Sequence, residues 1–172
     1  MFRNGIGYSS LPLQKNKPLI LGGADIDSTS GVESKYGSDL LVLSICDALI
    51  GAANLGDFRD LFPEDKYGDM SSLKILEIIR IKIQNASLQI IYIDSSIICP
   101  ELDLTGQKTI MKLNLSRALE LDKQLISVKS SPVFICPDTN SNITVVSSAT
   151  IVEFEEQEEE ADSDNSDEDY YD

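Results

Sequence analysis

The sequence predicts an α+β fold in which a mixed β-sheet carries its helices on one face. Three observations lead to this prediction: strand-like and helix-like segments alternate, residues 40–50 are apolar nearly all round a helix, and residues 73–83 place apolar side chains at helical spacing. A helix that is apolar all round is buried, whereas an amphipathic helix covers a neighbouring layer. Two such helices beside several strands indicate a layered α+β domain.

The first elements are short. Residues 2–8 are typical of folded sequence and lack the basic and apolar regions of an export signal. The apolar run 19–21 stops at Gly22 and Gly23, which predicts a short strand that enters a turn. Residues 28–38 are rich in serine and glycine, so we expect a loop there.

Capping residues and apolar spacing predict three helices. Asp39 is a good N-cap for the buried helix, which should end near Gly56. Ser71 or Ser72 caps the amphipathic helix, whose outer side carries lysine, arginine and glutamate. A third helix is predicted from about residue 107 to residue 121.

Three further segments have the composition of strands. Residues 88–99 are rich in isoleucine and are bounded by Pro100. Residues 125–129 and 142–154 supply the last strands. We therefore predict one folded domain over residues 1–152.

The chain of 172 residues contains no histidine and has a net charge of -15. Residues 153–172 contain twelve Asp or Glu and no Lys or Arg, which leaves only -3 for the rest. Such a block predicts a disordered acidic tail and argues against nucleic acid as a direct partner. The tail is interpreted first as a solubilising segment. Docking of a basic partner and regulation, with Ser166 as a weak candidate phosphorylation site, stay open.

Membrane insertion and disulfide bonding are not expected. The longest apolar stretch, residues 40–53, includes Ser44 and Asp47 and is too short to span a bilayer. The three cysteines, at positions 46, 99 and 136, lie far apart in or beside apolar runs. They are predicted to be buried thiols in a reducing compartment.

Two runs in the first half of the chain form a long and specific motif. Residues 47–57 read DALIGAANLGD and residues 61–64 read LFPE. They resemble the core signature of the 2-C-methyl-D-erythritol 2,4-cyclodiphosphate synthase family, and the resemblance extends over roughly residues 3–154. It implies a trimeric cyclodiphosphate-synthase-like fold with active sites at subunit interfaces, each with zinc and a second divalent cation such as magnesium or manganese. It also implies cyclisation of a cytidine diphosphate-linked methylerythritol phosphate with release of CMP.

The residues that correspond to the family's metal ligands are different in this chain. The family takes zinc ligands from an Asp and a His near the N-terminus and from a His on the buried helix. The resemblance places Ser9, Leu11 and Leu43 there, and none is an ordinary zinc ligand. The glutamate for the second cation corresponds to Phe134. We therefore predict no catalytic residue, no metal site and no cofactor, with apolar packing at the former histidine positions.

Positions that contact substrate in the family also differ. A His-Ser pair corresponds to residues 35–36, which are Lys and Tyr, and an arginine and a glutamate correspond to Ser141 and Ile143. Asp57 is the one residual substrate-loop position. Arg59 replaces a glycine two residues later, and its bulk is expected to block the sugar-phosphate pocket.

Other chemical assignments for the remaining polar residues are weaker. Cys46 with Asp39 or Asp47 would be an improvised metal site, but a lone cysteine in an apolar helix is usually core. Asp47 is interpreted as a bridging or capping group and Asp57 as a residue that stabilises a turn. Cys136 has no histidine to activate it as a nucleophile.

Three functional hypotheses remain. The first is a catalytically inactive relative that serves as a structural or assembly subunit, in a homotrimer or a larger protein assembly. The second is a regulatory partner that forms mixed trimers with an active homologue. The third is a divergent enzyme of non-mevalonate isoprenoid biosynthesis, or a binder of a phosphorylated or isoprenoid ligand. The family's distribution favours the plastid stroma or the cytoplasm.

Overall fold

The computed structural model describes residues 1–99, 102–130 and 142–153. Several predictions fall outside the described residues; they concern Pro100, Phe134, Cys136, Ser141 and the acidic segment 154–172.

The strands form one large sheet and two small ones. In chain order they are β1 (Phe2–Pro12), β2 (Gln14–Lys15), β3 (Ile20–Leu21), β4 (Ala24–Asp25), β5 (Ser30–Gly31), β6 (Leu88–Ile98), β7 (Ile126–Ser130) and β8 (Asn142–Glu153). The large sheet has the order β1-β8-β6-β7. The pairs β1 with β8 and β8 with β6 are antiparallel, whereas β6 with β7 is parallel. The predicted mixed sheet is therefore confirmed.

In the described ranges of the chain, five helices accompany the strands. They are α1 (Leu40–Ala53), α2 (Phe58–Leu61), α3 (Glu64–Tyr67), α4 (Ser72–Asn85) and α5 (Lys108–Leu119), with short 3-10 turns at Tyr36–Ser38 and Lys123–Leu125. Helix α1 contacts β1 and β8, α4 contacts α1 and α5, and α5 contacts β7. The other face of β1 is open, because Phe2, Ile6 and Tyr8 are 70%, 76% and 63% exposed. The helices thus lie on one face, as predicted.

Two glycines of β1 allow α1 to approach the sheet closely. A Cβ atom at Gly5 would lie 2.0 Å from the carbonyl oxygen of Ala48, and one at Gly7 would lie 1.9 Å from that of Ser44. Glycine weakens a strand in isolation. Here the absence of a side chain places the helix backbone directly on the strand, and β1 is a strand that the sequence patterns did not predict.

Helix α1 begins as predicted and ends earlier. The Asp39 side chain accepts a hydrogen bond from the backbone N–H of Val42, which is an N-cap interaction. Eleven of its fourteen residues are buried, so the prediction of a deeply buried helix is confirmed. The predicted end near Gly56 is wrong by a few residues, because Asn54 adopts the left-handed conformation at φ 54° and terminates the helix after Ala53.

The remaining boundaries agree with the sequence to within about two residues. Ser71 is the N-cap of α4, since its hydroxyl accepts from the N–H of Lys74 at 3.4 Å, while Ser72 lies inside the helix. Strand β8 includes Glu153, which forms ion pairs with Arg3 and with the amino group of Met1. The last described residue thus belongs to the sheet, one position beyond the predicted domain boundary.

Three buried hydroxyls connect α1 to the middle of the sheet. The Ser147 hydroxyl lies 2.6 Å from that of Ser44 and 2.8 Å from that of Ser95. Ser44 in turn donates to the carbonyl oxygen of Leu41 at 3.0 Å. Because the Ser44 hydroxyl hydrogen is used in this bond, the Ser147 hydroxyl donates to Ser44. The Ser95 hydroxyl in turn donates to Ser147. Each hydroxyl is buried and hydrogen-bonded, as a polar group in a core requires.

Within residues 1–99, 102–130 and 142–153, no helix has the length and apolarity needed to cross a membrane.

Candidate functional site

The positions that the resemblance assigns to zinc ligands lie where β1 meets the first half of α1. Odd-numbered residues of β1 face the helix, because Gly5 lies against Ala48 and Gly7 against Ser44. Ser9 and Leu11 continue this row and are both half-buried. Leu43 lies on α1, one residue before Ser44, and is also half-buried. These segments are the ones that the resemblance brings together.

Leu11 is paired with another residue that the resemblance assigns to the family's active site. Its Cα partner across the antiparallel pair is Ile143 of β8, and Ile143 is fully buried. Leu11 itself packs against the hydrophobic core. A position that corresponds to a metal ligand and one that corresponds to a substrate contact thus form an apolar cross-strand pair.

These side chains do not fit a zinc ion. A catalytic zinc needs about three protein ligands drawn from Cys, His and carboxylates. Ser9 offers one neutral hydroxyl, and Leu11 and Leu43 offer no donor atom. In the part of the chain that the structure describes, no group of three or more His, Cys, Asp or Glu could hold a metal ion.

The improvised site around Cys46 is not supported by the geometry. Burial, followed by the negative charges of Asp39 and Asp47, raises the pKa of the Cys46 thiol well above 9. A thiol binds metals as a thiolate, which this environment opposes. The Asp47 carboxylate accepts a hydrogen bond from the N–H of Tyr8 at 3.3 Å, so it joins α1 to β1 as predicted.

Asp39 is committed to the backbone. Its two carboxylate oxygens accept from the N–H groups of Gly22 at 3.0 Å, Gly23 at 2.7 Å and Val42 at 3.0 Å. Gly22 and Gly23 adopt positive φ angles of 58° and 67°, which turn both N–H groups towards the carboxylate. Burial raises the pKa of Asp39 to about 6, although the backbone donors oppose this rise. Asp39 therefore joins the β3-β4 turn to the start of α1.

Asp57, the residual substrate-loop position, is exposed at the start of α2. Its backbone carbonyl accepts from the N–H groups of Asp60 and Leu61, each at 3.2 Å. Its side chain makes no capping hydrogen bond. The turn is thus stabilised by the backbone of Asp57, and both Asp57 and Arg59 are exposed.

Sequence reasoning missed an aromatic cluster next to this loop. The Tyr36 ring lies edge-on to Phe58 with centroids 5.1 Å apart. Phe58 contacts Phe62 at 5.3 Å, and Phe62 contacts Tyr67 edge-on at 5.3 Å. The signal available in the sequence was four aromatic residues within 32 positions of a chain that is only 6% aromatic. Tyr36, which the resemblance aligns with the serine of the family's His-Ser pair, is a member of this cluster.

The mixed sheet with its helices on one face defines the class of protein, which is the cyclodiphosphate-synthase-like fold. The bifunctional IspDF of Campylobacter jejuni matches with a TM-score of 0.82 and 28% identity, over 90% of this chain and 43% of that chain. The family model described as the YgbB family matches residues 2–151.

The chain belongs to the YgbB family, whose curated relatives are 2-C-methyl-D-erythritol 2,4-cyclodiphosphate synthases. The synthase of Clostridium kluyveri is 40% identical over 131 residues, which cover 75% of this chain and 80% of that protein. The synthase of Syntrophomonas wolfei is 35% identical over 131 residues, covering 75% and 83%. The predicted family and the predicted α+β fold are thus confirmed.

Proposed function

We propose that this chain is a catalytically inactive member of the synthase family. It serves as a structural or assembly subunit, or as a regulatory partner of an active relative. The observation that carries the proposal is the replacement of the zinc-ligand positions by Ser9, Leu11 and Leu43 in a fold that is otherwise retained.

The physical argument concerns the charge of the reaction. Attack of one phosphate on another develops negative charge, which bound cations stabilise in metal-dependent phosphoryl chemistry. Ser9, Leu11 and Leu43 carry no positive charge and include no ordinary metal ligand. The Leu11 and Ile143 pair is apolar, and burial of phosphate beside it would leave the anion without a partner. The local chemistry therefore favours packing over phosphate transfer.

The decisive test combines zinc binding with turnover. We expect the purified chain to bind no stoichiometric zinc, with the Clostridium kluyveri synthase assayed in parallel as the reference. We also expect it to release no CMP from the cytidine diphosphate-linked methylerythritol phosphate. The matched control is a chain that ends at Glu153, because the acidic segment beyond it would collect zinc non-specifically. One tight equivalent of zinc in that control together with CMP release would overturn the proposal and favour a divergent enzyme.

The open face of the sheet supports an oligomer as part of the proposal. Phe2, Ile6 and Tyr8 are exposed apolar side chains on the face of β1 opposite α1, with the polar Asn4 between Phe2 and Ile6. Contiguous exposed apolar surface marks an interaction site. We place three copies of this chain on this face, in keeping with the trimer that the resemblance implies.

Charge introduced on the sheet face tests this arrangement. Ile6→Asp should shift the native mass spectrum from trimer to monomer, since it places a carboxylate in the proposed interface. The matched control is Ile81→Asp, because Ile81 is 44% exposed on α4, away from the sheet. An unchanged trimer in Ile6→Asp, or an equal loss in Ile81→Asp, would contradict the proposal.

Mass spectrometry of chains that copurify from the native source separates the two roles. An active synthase in the complex would indicate a regulatory partner in mixed trimers. A large assembly of unrelated proteins would indicate a structural subunit. The same experiment with the chain that ends at Glu153 tests whether residues 154–172, with their acidic side chains, dock a basic partner.

A further inference from the structure

Residues 58–68, which we call the strap, consist of two very short helices. Helices α2 and α3 have four residues each and are joined through Phe62 and Pro63. Isolated helices of this length are not stable in water, because nucleation costs more than a single turn returns. The strap must therefore be held in place by contacts with the rest of the molecule.

Tyr36 contacts the strap at its beginning, middle and end. Its ring lies edge-on to Phe58 at 5.1 Å between centroids. Its hydroxyl donates to the carbonyl oxygen of Phe62 at 3.0 Å. Its backbone N–H donates to the carbonyl oxygen of Gly68 at 2.9 Å. One residue from outside the strap thus fixes three of its points.

The backbone around Tyr36 is itself held in an uncommon conformation. Tyr36, Gly37 and Ser38 have φ angles of 60°, 81° and 57°, all in the left-handed region. Such a conformation is costly for residues with a side chain and persists where surrounding contacts fix it. Ser72 donates its hydroxyl to the Tyr36 carbonyl, and Ser38 exchanges hydrogen bonds with the backbone of Ser34. The loop is therefore anchored on α4 before it reaches the strap.

The remaining attachments of the strap differ in strength. The Phe62 ring is only 1% exposed and lies between Phe58 and Tyr67, so it anchors the middle of the strap. The ion pair of Lys35 with Glu64 has an N to O distance of 3.4 Å, and both side chains are more than half exposed. Exposed pairs of this kind contribute little. Loss of the Tyr36 contacts would therefore loosen the strap while Phe62 keeps it near the core.

We propose that Tyr36 is a latch whose hydroxyl holds the strap closed against the loop at residues 36–38, and that the strap opens as one local unit when this bond is broken. The sheet and α1 stay folded during this opening, because the strand pairing and the α1 cap do not involve the strap. Phe62, which belongs to the buried core, keeps its place while the rest of the strap opens. Asp57 directly precedes the strap, so the latch also fixes the loop that carries the residual substrate position.

The test removes one oxygen atom and measures amide hydrogen exchange by mass spectrometry. In Tyr36→Phe, we expect exchange in peptides from residues 58–68 to rise about fivefold, the size of one net hydrogen bond, with β6 and β8 unchanged. The matched control is Tyr67→Phe, because the Tyr67 ring packs in the same cluster and makes no described hydrogen bond through its hydroxyl. This control should exchange like the parent chain.

Limited trypsin cleavage gives an independent reading, since Arg59 and Lys66 lie within the strap and are exposed. Cleavage after Lys66 should accelerate by a similar factor in Tyr36→Phe, while cleavage after Lys82 on α4 stays unchanged. The latch is refuted by unchanged exchange in the strap, by an increase that extends equally to β6 and β8, or by an equal effect in Tyr67→Phe.

Discussion

The buried carboxylate of Asp39 should make this protein less stable as the pH rises. A salt-bridged aspartate, whose pKa is lowered, has the opposite effect. Burial raises the pKa of Asp39 from 3.8 to about 6, against the opposing effect of its backbone donors. The unfolded chain therefore ionises before the folded one. The stability contributed by this group is complete below pH 3.8 and is lost as the pH rises through 6.

The size of the effect follows from the shift. A difference of about two pKa units corresponds to about 3 kcal/mol between the fully protonated and the fully ionised protein. About half of it, about 1.5 kcal/mol, falls between pH 5 and pH 8. This window avoids the isoelectric point of 4.2, where the protein is least soluble.

Asp39→Asn isolates the effect. Asparagine keeps the shape of the side chain and does not titrate, so other carboxylates cancel when the two proteins are compared. Urea unfolding of both proteins should show that the parent chain loses about 1.5 kcal/mol relative to Asp39→Asn between pH 5 and pH 8. The chain has no histidine, the side chain that ordinarily titrates in this range.

A direct titration complements the unfolding curves. The carbon-13 shift of the Asp39 carboxyl should move with a midpoint of about 6. A midpoint near the ordinary aspartate value of about 3.9 would refute the reasoning, and so would parallel stability curves for the two proteins. Either result would mean that the N–H groups at the start of α1 and in the β3-β4 turn outweigh burial.

Three further predictions concern the fold. Ser147→Ala should lower the free energy of unfolding by about 1–3 kcal/mol, because it leaves the buried Ser95 hydroxyl without its partner, while Ser44 keeps only its bond to Leu41. The exposed neighbour Ser148→Ala should have little effect, and equal losses in urea unfolding would contradict this prediction. Gly7→Ala should lower the free energy of unfolding by about 3 kcal/mol or more, since the new Cβ would collide with α1. Gly51→Ala should raise it by about 0.5–1 kcal/mol, because Gly51 lies in α1 with open space around it. Thermal unfolding of both variants measures the difference. A chain that ends at Glu153 should keep the parent's unfolding midpoint; a lower midpoint would place part of residues 154–172 in the fold.

The elements that the sequence predicted are those whose signals are local. Asp39 caps α1 because an aspartate before an apolar run is a local signal, and β6 is recognised by its isoleucines. Strand β1 was missed because Gly5 and Gly7 oppose strand formation locally, and their role depends on a helix more than 35 positions away. The strap was missed because four-residue helices exist only through tertiary contacts.

The candidate site also has a part that residue types predict and a part that only the fold reveals. Residue type alone predicts that Leu11 and Leu43 do not hold zinc, since a side chain without a donor atom is unsuitable in any geometry, and Ser9 adds only one neutral hydroxyl. The pairing of Leu11 with Ile143 was beyond sequence reasoning, because it depends on the register between strands 132 positions apart in the chain. The Tyr36 latch likewise depends on contacts between segments that only the fold brings together.

The apolar character of Leu11, Leu43 and Ile143 also bears on the order in which ligand residues could have been replaced. Histidines and carboxylates in a half-buried wall are stabilised by the metal that they bind; without it, their burial is costly. Replacing one ligand alone would leave the others as unpaired polar groups beside the core. In our proposal, leucine at both positions that the resemblance assigns to histidine removes that cost, and Leu11 packs against the core with Ile143 opposite it. A chain that had exchanged one metal for another would be expected to retain donor atoms at these positions, and this one retains only the Ser9 hydroxyl.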